Sequence, residues 1–290
     1  MANRYRSSAR TTVRSEVVVG AALVSFVLLV AFLGPAFAPR DPDELIGVPF
    51  SSASSHALLG TDVLGRDVLS RLVSGGRTIL LASIVSVILA YAIGLTIGIL
   101  AALNGSRAAK SLLRSTDVVL SFPPMLLVLI IAAANGVSLA SVVMGAVIAQ
   151  VPGISRFSYA ASSELTLYSF IESAKIRGES LMWLIGRELL PNMARPIAAD
   201  AGIRITLSIL LIAAANFLGV GTQPPNADWG AMLAENSGGL ESNAMAILAP
   251  AIMIGCVTVG VSFLADALST PRKLRTSGAN HVVKDSADAR

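Results

Sequence analysis

Few side chains in this sequence could do chemistry, and the most suggestive pair lies within an apolar run. Of the 290 residues, 54% are hydrophobic and 14% are charged. Asp200 and Arg204 stand four residues apart, so one helical turn would bring their charges together. Because an unpaired charge at the bilayer centre costs about 2.5–3.5 kcal/mol, we expect a pair or a wet cavity there. The pair could form a solute pathway or gate, or it could pack one helix against its neighbour.

Two uncharged polar side chains, Gln150 and Asn216, are the other candidates for lining a pathway. Amide side chains in apolar helices also bridge neighbouring helices without any transport role. Both interpretations stay open at the level of sequence.

Residues for catalysis or metal binding are scarce. The histidines are His56 and His281, both outside the apolar runs, and Cys256 is the single cysteine. Donors such as His56, Asp62 and Asp67, without close spacing, are common by chance, so we predict no metal site. The sequence lacks a G-x-x-x-x-G-K-[ST] motif for binding ATP. We therefore predict no enzymatic activity, no cofactor bound by this chain, and an energy source on another polypeptide.

Six apolar runs are candidates for membrane-spanning helices, since roughly 20 helical residues cross the hydrocarbon core. They cover residues 17–38, 79–103, 118–134, 139–151 with a continuation to about 157, 197–220 and 244–268. The fourth is the weakest because Gln150, Pro152 and Gly153 interrupt it. The first could instead be a signal peptide, but it exceeds the usual length of that apolar region, which favours an uncleaved span. The sequence predicts an all-α polytopic membrane protein with six transmembrane helices.

Loop charge predicts the orientation of these spans. Lysine and arginine occur before residue 17, at 104–114, at 156–195 and after residue 270, whereas 135–138 and 221–243 have none. Because positive residues favour the cytoplasm, both termini are predicted to be cytoplasmic. The four arginines of loop 39–78 depart from this rule, but the number of spans places that loop outside. The basic residues are dispersed among the spans, so we predict a lipid membrane and no nucleic acid as partner.

The predicted organisation has five parts. A cytoplasmic N-terminus (1–16) precedes the first span (17–38) and an external loop with an interfacial helix (39–78). A five-helix core (79–268) contains a polar segment at 168–191, and the cytoplasmic tail (269–290) is predicted to be disordered at its end.

The polar segment reads as two short helices. Residues 168–177 form the first, and Gly178 can adopt the left-handed conformation that ends it. Ser180 is a candidate N-cap for the second, whose apolar face repeats at helical spacing. Pro191 is predicted to end it, because proline lacks a backbone donor.

This segment resembles the EAA loop of ABC importer permeases. Glu172, Ser173 and Ala174, followed by Gly178 and then by Leu190-Pro191, carry the resemblance. It departs from that pattern where Ser173 replaces an alanine and Glu188 an aliphatic residue. The resemblance implies that the segment couples to an ATPase subunit, with Glu172 at the contact. The same residues would also suit an ordinary interfacial amphipathic helix.

Three more segments are similar to the C-type permease subunit of dipeptide, oligopeptide and nickel ABC importers. They are LGTDVLGRDVLSR at 59–71, SFP at 121–123, and GVGTQPP at 219–225 with WGAML at 229–233. The first contains Gly60, Thr61, Asp62, Gly65, Arg66 and Asp67. We read it as a turn before an interfacial helix in which Asp67 caps the helix and pairs with Arg71. Val68, Leu69 and Leu72 are then expected to face lipid or the partner subunit. A structural role is favoured over substrate contact.

The resemblance implies a type I ABC importer permease fold in the cytoplasmic membrane. It also implies a B-type permease partner, two ATPase subunits holding ATP and Mg, and an extracytoplasmic substrate-binding protein. Peptide is the expected substrate, although nickel, glutathione, haem and opine importers use related permeases. An ion-gradient-driven secondary transporter is the alternative, and it would function without ATPase subunits.

Overall fold

The computed structural model describes residues 2–104 and 107–269, and this part of the chain is helical. The predicted tail end and His281 lie outside the described residues. The helices are α1 (Ala2–Leu33), α2 (Val68–Asn104), α3 (Arg107–Val119), α4 (Pro124–Asn135), α5 (Leu139–Leu165), α6 (Ser169–Ile176), α7 (Leu181–Trp183), α8 (Leu190–Phe217), α9 (Trp229–Glu235) and α10 (Met245–Ser269). Short 3-10 helices cover Gly34–Phe37 and Ser237–Gly239, and a π-helix covers Leu184–Leu189.

Five helical segments are long and apolar enough to cross a membrane. They are Ser15–Phe37, Val68–Asn104, Leu139–Leu165, Leu181–Phe217 and Met245–Ser269. A sixth crossing requires α3 and α4 together, and these two are bent by 88°. The predicted run 118–134 is therefore not one continuous helix. Pro123 and Pro124 explain the break, because proline disfavours helical conformation in the residue before it and cannot donate a helical hydrogen bond.

Two predicted boundaries need correction. The expected interfacial helix near residue 67 is the first part of α2, which runs without a break from Val68 to Asn104. The fourth span is one helix of 27 residues with Pro152 inside it, although we expected it to end near residue 157. In both places the apolar side chains of neighbouring helices stabilise a helix that local sequence signals alone do not favour.

The centre of the fold is the close packing of α2 against α5. At Gly98 an added Cβ atom would lie 1.9 Å from Ser158 Oγ, and at Gly94 one would lie 2.7 Å from Ile154 Cγ2. Ser158 Oγ donates to the carbonyl of Gly94 at 3.1 Å. The two glycines therefore serve a helix contact within the subunit, as small residues do in membrane helix pairs.

A second packing point joins α9 to α2. Trp229 is fully buried, and its indole N–H donates to the carbonyl of Leu72 at 2.7 Å. The ring lies against Gly76, where a Cβ atom would approach it to 2.3 Å. The loop after α8 is thereby fixed to the beginning of α2.

Candidate functional site

The polar segment at 168–191, called the coupling segment below, has the predicted hairpin of helices. Its first arm is α6, and Gly178 follows with φ +74°. The N–H of Glu179 donates to the carbonyl of Ala174 at 3.2 Å, which is the bond pattern of a glycine C-cap. Ser180 caps the second arm, since its side chain accepts from the N–H of Trp183 at 3.2 Å. The sequence-based turn and cap are confirmed.

The prediction that Pro191 ends the second arm is wrong. Pro191 lies in the first turn of α8, and helical structure continues from Leu181 to Phe217. The π-helix Leu184–Leu189 precedes the proline, and the N–H of Leu190 donates to the carbonyl of Ile185, five residues back. In this wider turn the absent N–H of Pro191 interrupts the hydrogen bonds without ending the helix. The Asn192 side chain donates to the carbonyl of Glu188 at 2.6 Å.

The coupling segment has a buried face and an exposed face. Ile171, Ala174, Leu184 and Leu189 are buried in a cluster with Ile99 of α2 and Met193 of α8. Ala174 is fully buried, so its small side chain serves packing within the subunit. Glu172 and Ser173 are exposed, while Leu190 is half-buried. On the exposed side, Ile176 and Met182 are each 80% exposed, and Leu167, directly before the segment, is 86% exposed.

The predicted pair of Asp200 and Arg204 forms within α8. Arg204 Nε donates to Asp200 Oδ2 at 3.2 Å, and both side chains are mostly buried. Tyr91 of α2 donates its hydroxyl to the same oxygen at 2.5 Å. The Arg204 guanidinium packs over Gly153 of α5, where a Cβ atom would lie 2.6 Å from Nη1. The pair is therefore enclosed by three helices.

The two amides predicted to line a pathway differ in their surroundings. Gln150 is buried in α5, and within the part of the chain that the structure describes neither amide atom has a hydrogen-bond partner. Asn216, at the other end of α8, has a buried and hydrogen-bonded amide. Its Nδ2 donates to Asp228 Oδ1 at 2.8 Å, and its Oδ1 accepts from the N–H of Thr222 at 3.1 Å. Asn216 is thus a structural bridge, and Gln150 retains unused hydrogen-bonding capacity.

The motif at 59–71 covers the end of a loop, residues 39–67, that we call the motif loop, and the first turn of α2. Gly60 and Gly65 have φ of +74° and +82°, and a Cβ atom at either would collide with a carbonyl oxygen. Thr61 Oγ1 donates to the carbonyl of Val48 and accepts from the N–H of Ser51, both at 2.7 Å. The glycines and the threonine therefore set the path of the loop.

The charged residues of the motif form a buried ion cluster with α9. Arg66 donates to Asp62 Oδ2 and to Glu235 Oε2, each at 2.7 Å. Arg71 donates to Glu235 Oε2 at 3.0 Å and lies 3.4 Å from Asp62 Oδ2. Both guanidinium groups are nearly inaccessible to water. Paired and hydrogen-bonded charges of this kind are costly to separate.

One of the two roles predicted for Asp67 is confirmed. Its Oδ2 accepts from the N–H of Ser70 at 3.0 Å and from the Ser70 hydroxyl at 2.5 Å, so it caps α2. The predicted pair with Arg71 is wrong, because Arg71 turns to Asp62 and Glu235 and lies 3.6 Å from Asp43. Val68 and Leu72 are buried within the subunit, so the expectation that they face lipid or the partner subunit is wrong for both, while Leu69 is half-buried.

Asp228 is a buried carboxylate between α8 and α9. Its Oδ1 accepts from Asn216 and from the N–H groups of Gly230 and Ala231, which makes it the N-cap of α9. Burial raises the pKa of this carboxyl above its ordinary value, while these hydrogen bonds oppose the shift. The ionised form is therefore less favourable here than in water.

Comparison with known proteins identifies the class of this site. The family described as binding-protein-dependent transport system inner membrane component matches residues 94–271, which include the coupling segment, the Asp200–Arg204 pair and α9. The chain belongs to this family. It is thus a multi-pass permease component of the inner membrane.

Individual relatives agree with the family. The permease is 32% identical to the di/tripeptide transport system permease protein DppC of Pseudomonas aeruginosa, over 84% of each chain. It is also 32% identical to the glutathione transport system permease protein GsiD of Pectobacterium atrosepticum, over 91% of this chain and 89% of the relative. In fold it is similar to a chain of the inward-facing MetNI methionine ABC transporter. That match has a TM-score of 0.55 at 18% identity and covers 67% of this chain and 94% of the other.

Sequence reasoning missed three residues that complete these sites. The partners of Tyr91 and Glu235 are distant in the chain, whereas Asp228 bonds to Asn216, Gly230 and Ala231, all within 12 residues. An aspartate directly before a short helical stretch is an N-cap signal, and it could have identified Asp228. Glu235 had no signal in the sequence, because Asp62 and Asp67 of the motif already balance Arg66 and Arg71 in charge. Tyr91 gave no local signal, because a tyrosine in an apolar helix most often only packs.

Proposed function

We propose that this permease is the C-type membrane subunit of an ATP-driven importer of di- or oligopeptides. The names of the relatives, which include di/tripeptide, dipeptide and glutathione permeases, support peptide-like substrates. The protein would pair with a B-type permease and receive substrate from an extracytoplasmic binding protein. ATP and Mg would be bound by two ATPase subunits and not by this chain.

The exposed face of the coupling segment carries this proposal. Ile176 and Met182 are exposed although the opposite face of the same hairpin is tightly packed. A rigid hairpin with large apolar side chains and the exposed carboxylate of Glu172 on its outer face suits a groove in a soluble protein. An ATPase subunit is the partner that the family membership favours.

The topology follows from the position of α8. The coupling segment precedes α8 and the ion cluster with α9 follows it, so about 40 Å of helix separates them. That length spans a bilayer, which supports a cytoplasmic coupling segment and an external motif loop. Counting α3 and α4 as one span gives six, with both termini in the cytoplasm, as the loop charges predict.

In the proposed mechanism, closure of the ATPase subunits displaces the coupling segment. Because the segment and α8 are one helical unit, the displacement carries α8 with it. Gln150, Asp200 and Arg204 are the candidate contacts for a polar solute, since they combine an unsatisfied amide with a charge pair in apolar surroundings. Asn216 has a structural role instead.

The test is uptake of radiolabelled dialanine by proteoliposomes that contain the complete transporter. In Ile176→Asp, we expect ATP-driven uptake to fall about tenfold or more, because burying a carboxylate in an apolar contact is costly. Ser55→Asp adds the same charge at an exposed position of the motif loop and is expected to leave uptake unchanged. Uptake that proceeds with this chain alone under a proton gradient would contradict the proposal.

A further inference from the structure

We infer that Tyr91 is a positioning residue for transport. Its hydroxyl joins α8 to α2 and thereby passes movement of the coupling segment to the packed pair of helices α2 and α5. This inference rests on the proposed function, because it names the contact through which the ATP-driven movement of α8 is passed to α2.

The coupling segment and α8 form one continuous helical unit. Helical structure runs from Leu181 through the π-helix to Phe217, so α8 moves with the coupling segment. Next to the segment, α8 contacts α2 and α5 mainly through apolar side chains such as Met193, which also accepts a hydrogen bond from Ser162 of α5 at 3.4 Å. Arg195 of α8 donates to the carbonyl of Leu268 in α10 at 3.2 Å, so it does not join α8 to α2. Apolar contacts are non-directional and allow one helix to slide over another. They set the distance between the helices but do not fix their register.

The next contact along α8 is directional. Asp200 Oδ2 accepts from Tyr91 of α2 at 2.5 Å and from Arg204 of its own helix at 3.2 Å. Hydrogen bonds to charged groups are stronger than neutral ones and depend on angle. The Arg204 guanidinium, packed over Gly153 of α5, donates to the same oxygen and orients the carboxylate toward Tyr91. The arrangement therefore fixes the register of α8 against α2.

Tyr91 borders an open groove on the side of the coupling segment. This groove of about 510 Å³ lies between α2 and the segment, and its walls include Tyr91, Leu95, Ile99, Leu181 and Ile185. Within the groove the facing apolar surfaces of α2 and the segment are not in full contact, so packing alone joins them less tightly there. Tyr91 lies at the wall of this groove, where its hydroxyl joins α2 to α8.

A second polar contact between α2 and α8 offers a matched control. Ser86 and Ser208 share a hydrogen bond of 2.5 Å between their hydroxyl groups, further from the coupling segment. Both hydroxyls also lie near carbonyls of α2, at 2.9 Å and 3.4 Å from Ser83 O, so this contact is part of the helix packing. It contains no ionised group and lines no part of the groove.

The experiment compares Tyr91→Phe with Ser86→Ala in the assembled transporter. Both substitutions remove one hydroxyl and keep the side chain's general shape. Dialanine transported and ATP hydrolysed are measured per assembled complex in proteoliposomes with the binding protein present. We expect Tyr91→Phe to lower the ratio of dialanine to ATP by about fivefold or more, and Ser86→Ala to change it less than twofold.

The outcomes separate the inference from simpler explanations. An unchanged ratio in Tyr91→Phe, or an equal fall in both variants, would overturn the positioning role. The ratio also decides the case of a variant that assembles poorly, because dialanine transported and ATP hydrolysed are both measured per assembled complex. If the wild-type complex shows no ATP-driven uptake of dialanine while it binds and hydrolyses ATP, the proposed peptide-import function fails together with the inference.

Discussion

The guanidinium of Arg66 lies 2.7 Å from the carboxylate of Glu235, and this contact joins the motif loop to the end of α9 across 169 residues of sequence. Arg71 shares the same carboxylate oxygen at 3.0 Å. Glu235 therefore contacts two buried guanidinium groups, both of which also pair with Asp62. This charged contact joins α9 to the first turn of α2, in addition to the hydrogen bond from Trp229 to Leu72.

Replacing this carboxylate should destabilise the fold. In Glu235→Gln, two buried arginines lose a charged partner, which we expect to cost about 3 kcal/mol. Glu44→Gln is the matched control, because Glu44 is half exposed and its ion pair with Arg40 is 3.9 Å long. The thermal unfolding temperature in detergent measures both. Equal temperatures for the two variants would refute the importance of the cluster.

Asp228 should make stability depend on pH. Burial raises the pKa of this carboxyl in the folded protein, so the folded state holds its proton to higher pH than the unfolded chain. Its contribution to stability is therefore greatest below the ordinary carboxyl pKa, about 4. That contribution falls as the pH rises through the raised folded value.

The comparison is Asp228→Asn, which keeps the acceptor for Gly230, Ala231 and Asn216 but cannot ionise. We expect the unfolding temperature of the variant, relative to wild type, to increase from acidic toward neutral pH. Asp228→Ala serves as control, since it also loses the helix cap at a cost of about 1 kcal/mol. Parallel curves for wild type and Asp228→Asn across the whole range would contradict the assignment.

The α2–α5 contact should tolerate no side chain at Gly98. In Gly98→Ala the new methyl group meets Ser158 Oγ and the backbone carbonyl of Ser155, so the helices must separate. We expect a loss of stability of about 2 kcal/mol, as overpacking usually causes. Gly255→Ala, at a helical position with open space around it, should be neutral or slightly stabilising. A stable Gly98→Ala protein with unchanged unfolding would show that the contact is looser than described.

The turn of the coupling segment should require Gly178. Proline there cannot adopt φ +74°, so Gly178→Pro should disorder the hairpin while leaving the spans inserted. We expect uptake to fall at least about tenfold with ATP hydrolysis no longer coupled to it. Gly186→Ala, in the same segment but with ordinary φ and open surroundings, is the control. Transport at wild-type level in Gly178→Pro would be incompatible with a rigid hairpin.

Local features of the structure were predictable from sequence, and long-range ones were not. The Gly178 turn, the Ser180 cap and the Asp200–Arg204 pair depend on neighbours within four residues, so spacing alone predicts them. Tyr91 meets Asp200 across 109 residues and Arg66 meets Glu235 across 169, and spacing carries no information on either. The prediction that Pro191 ends its helix was wrong because it assumed α-helical hydrogen bonds, whereas the preceding turn is a π-helix.

Site-directed cross-linking tests whether the exposed face of the coupling segment contacts an ATPase subunit. Cys256 is the single cysteine, so a Cys256→Ser background allows Ile176→Cys and, as control, Leu45→Cys in the motif loop, where the side chain is 69% exposed. A short bifunctional thiol–amine reagent is applied to the assembled transporter. We expect Ile176→Cys to cross-link to the ATPase subunit and Leu45→Cys not to do so. Cross-linking of Ile176→Cys to the binding protein, or to no ATPase subunit, would contradict this expectation.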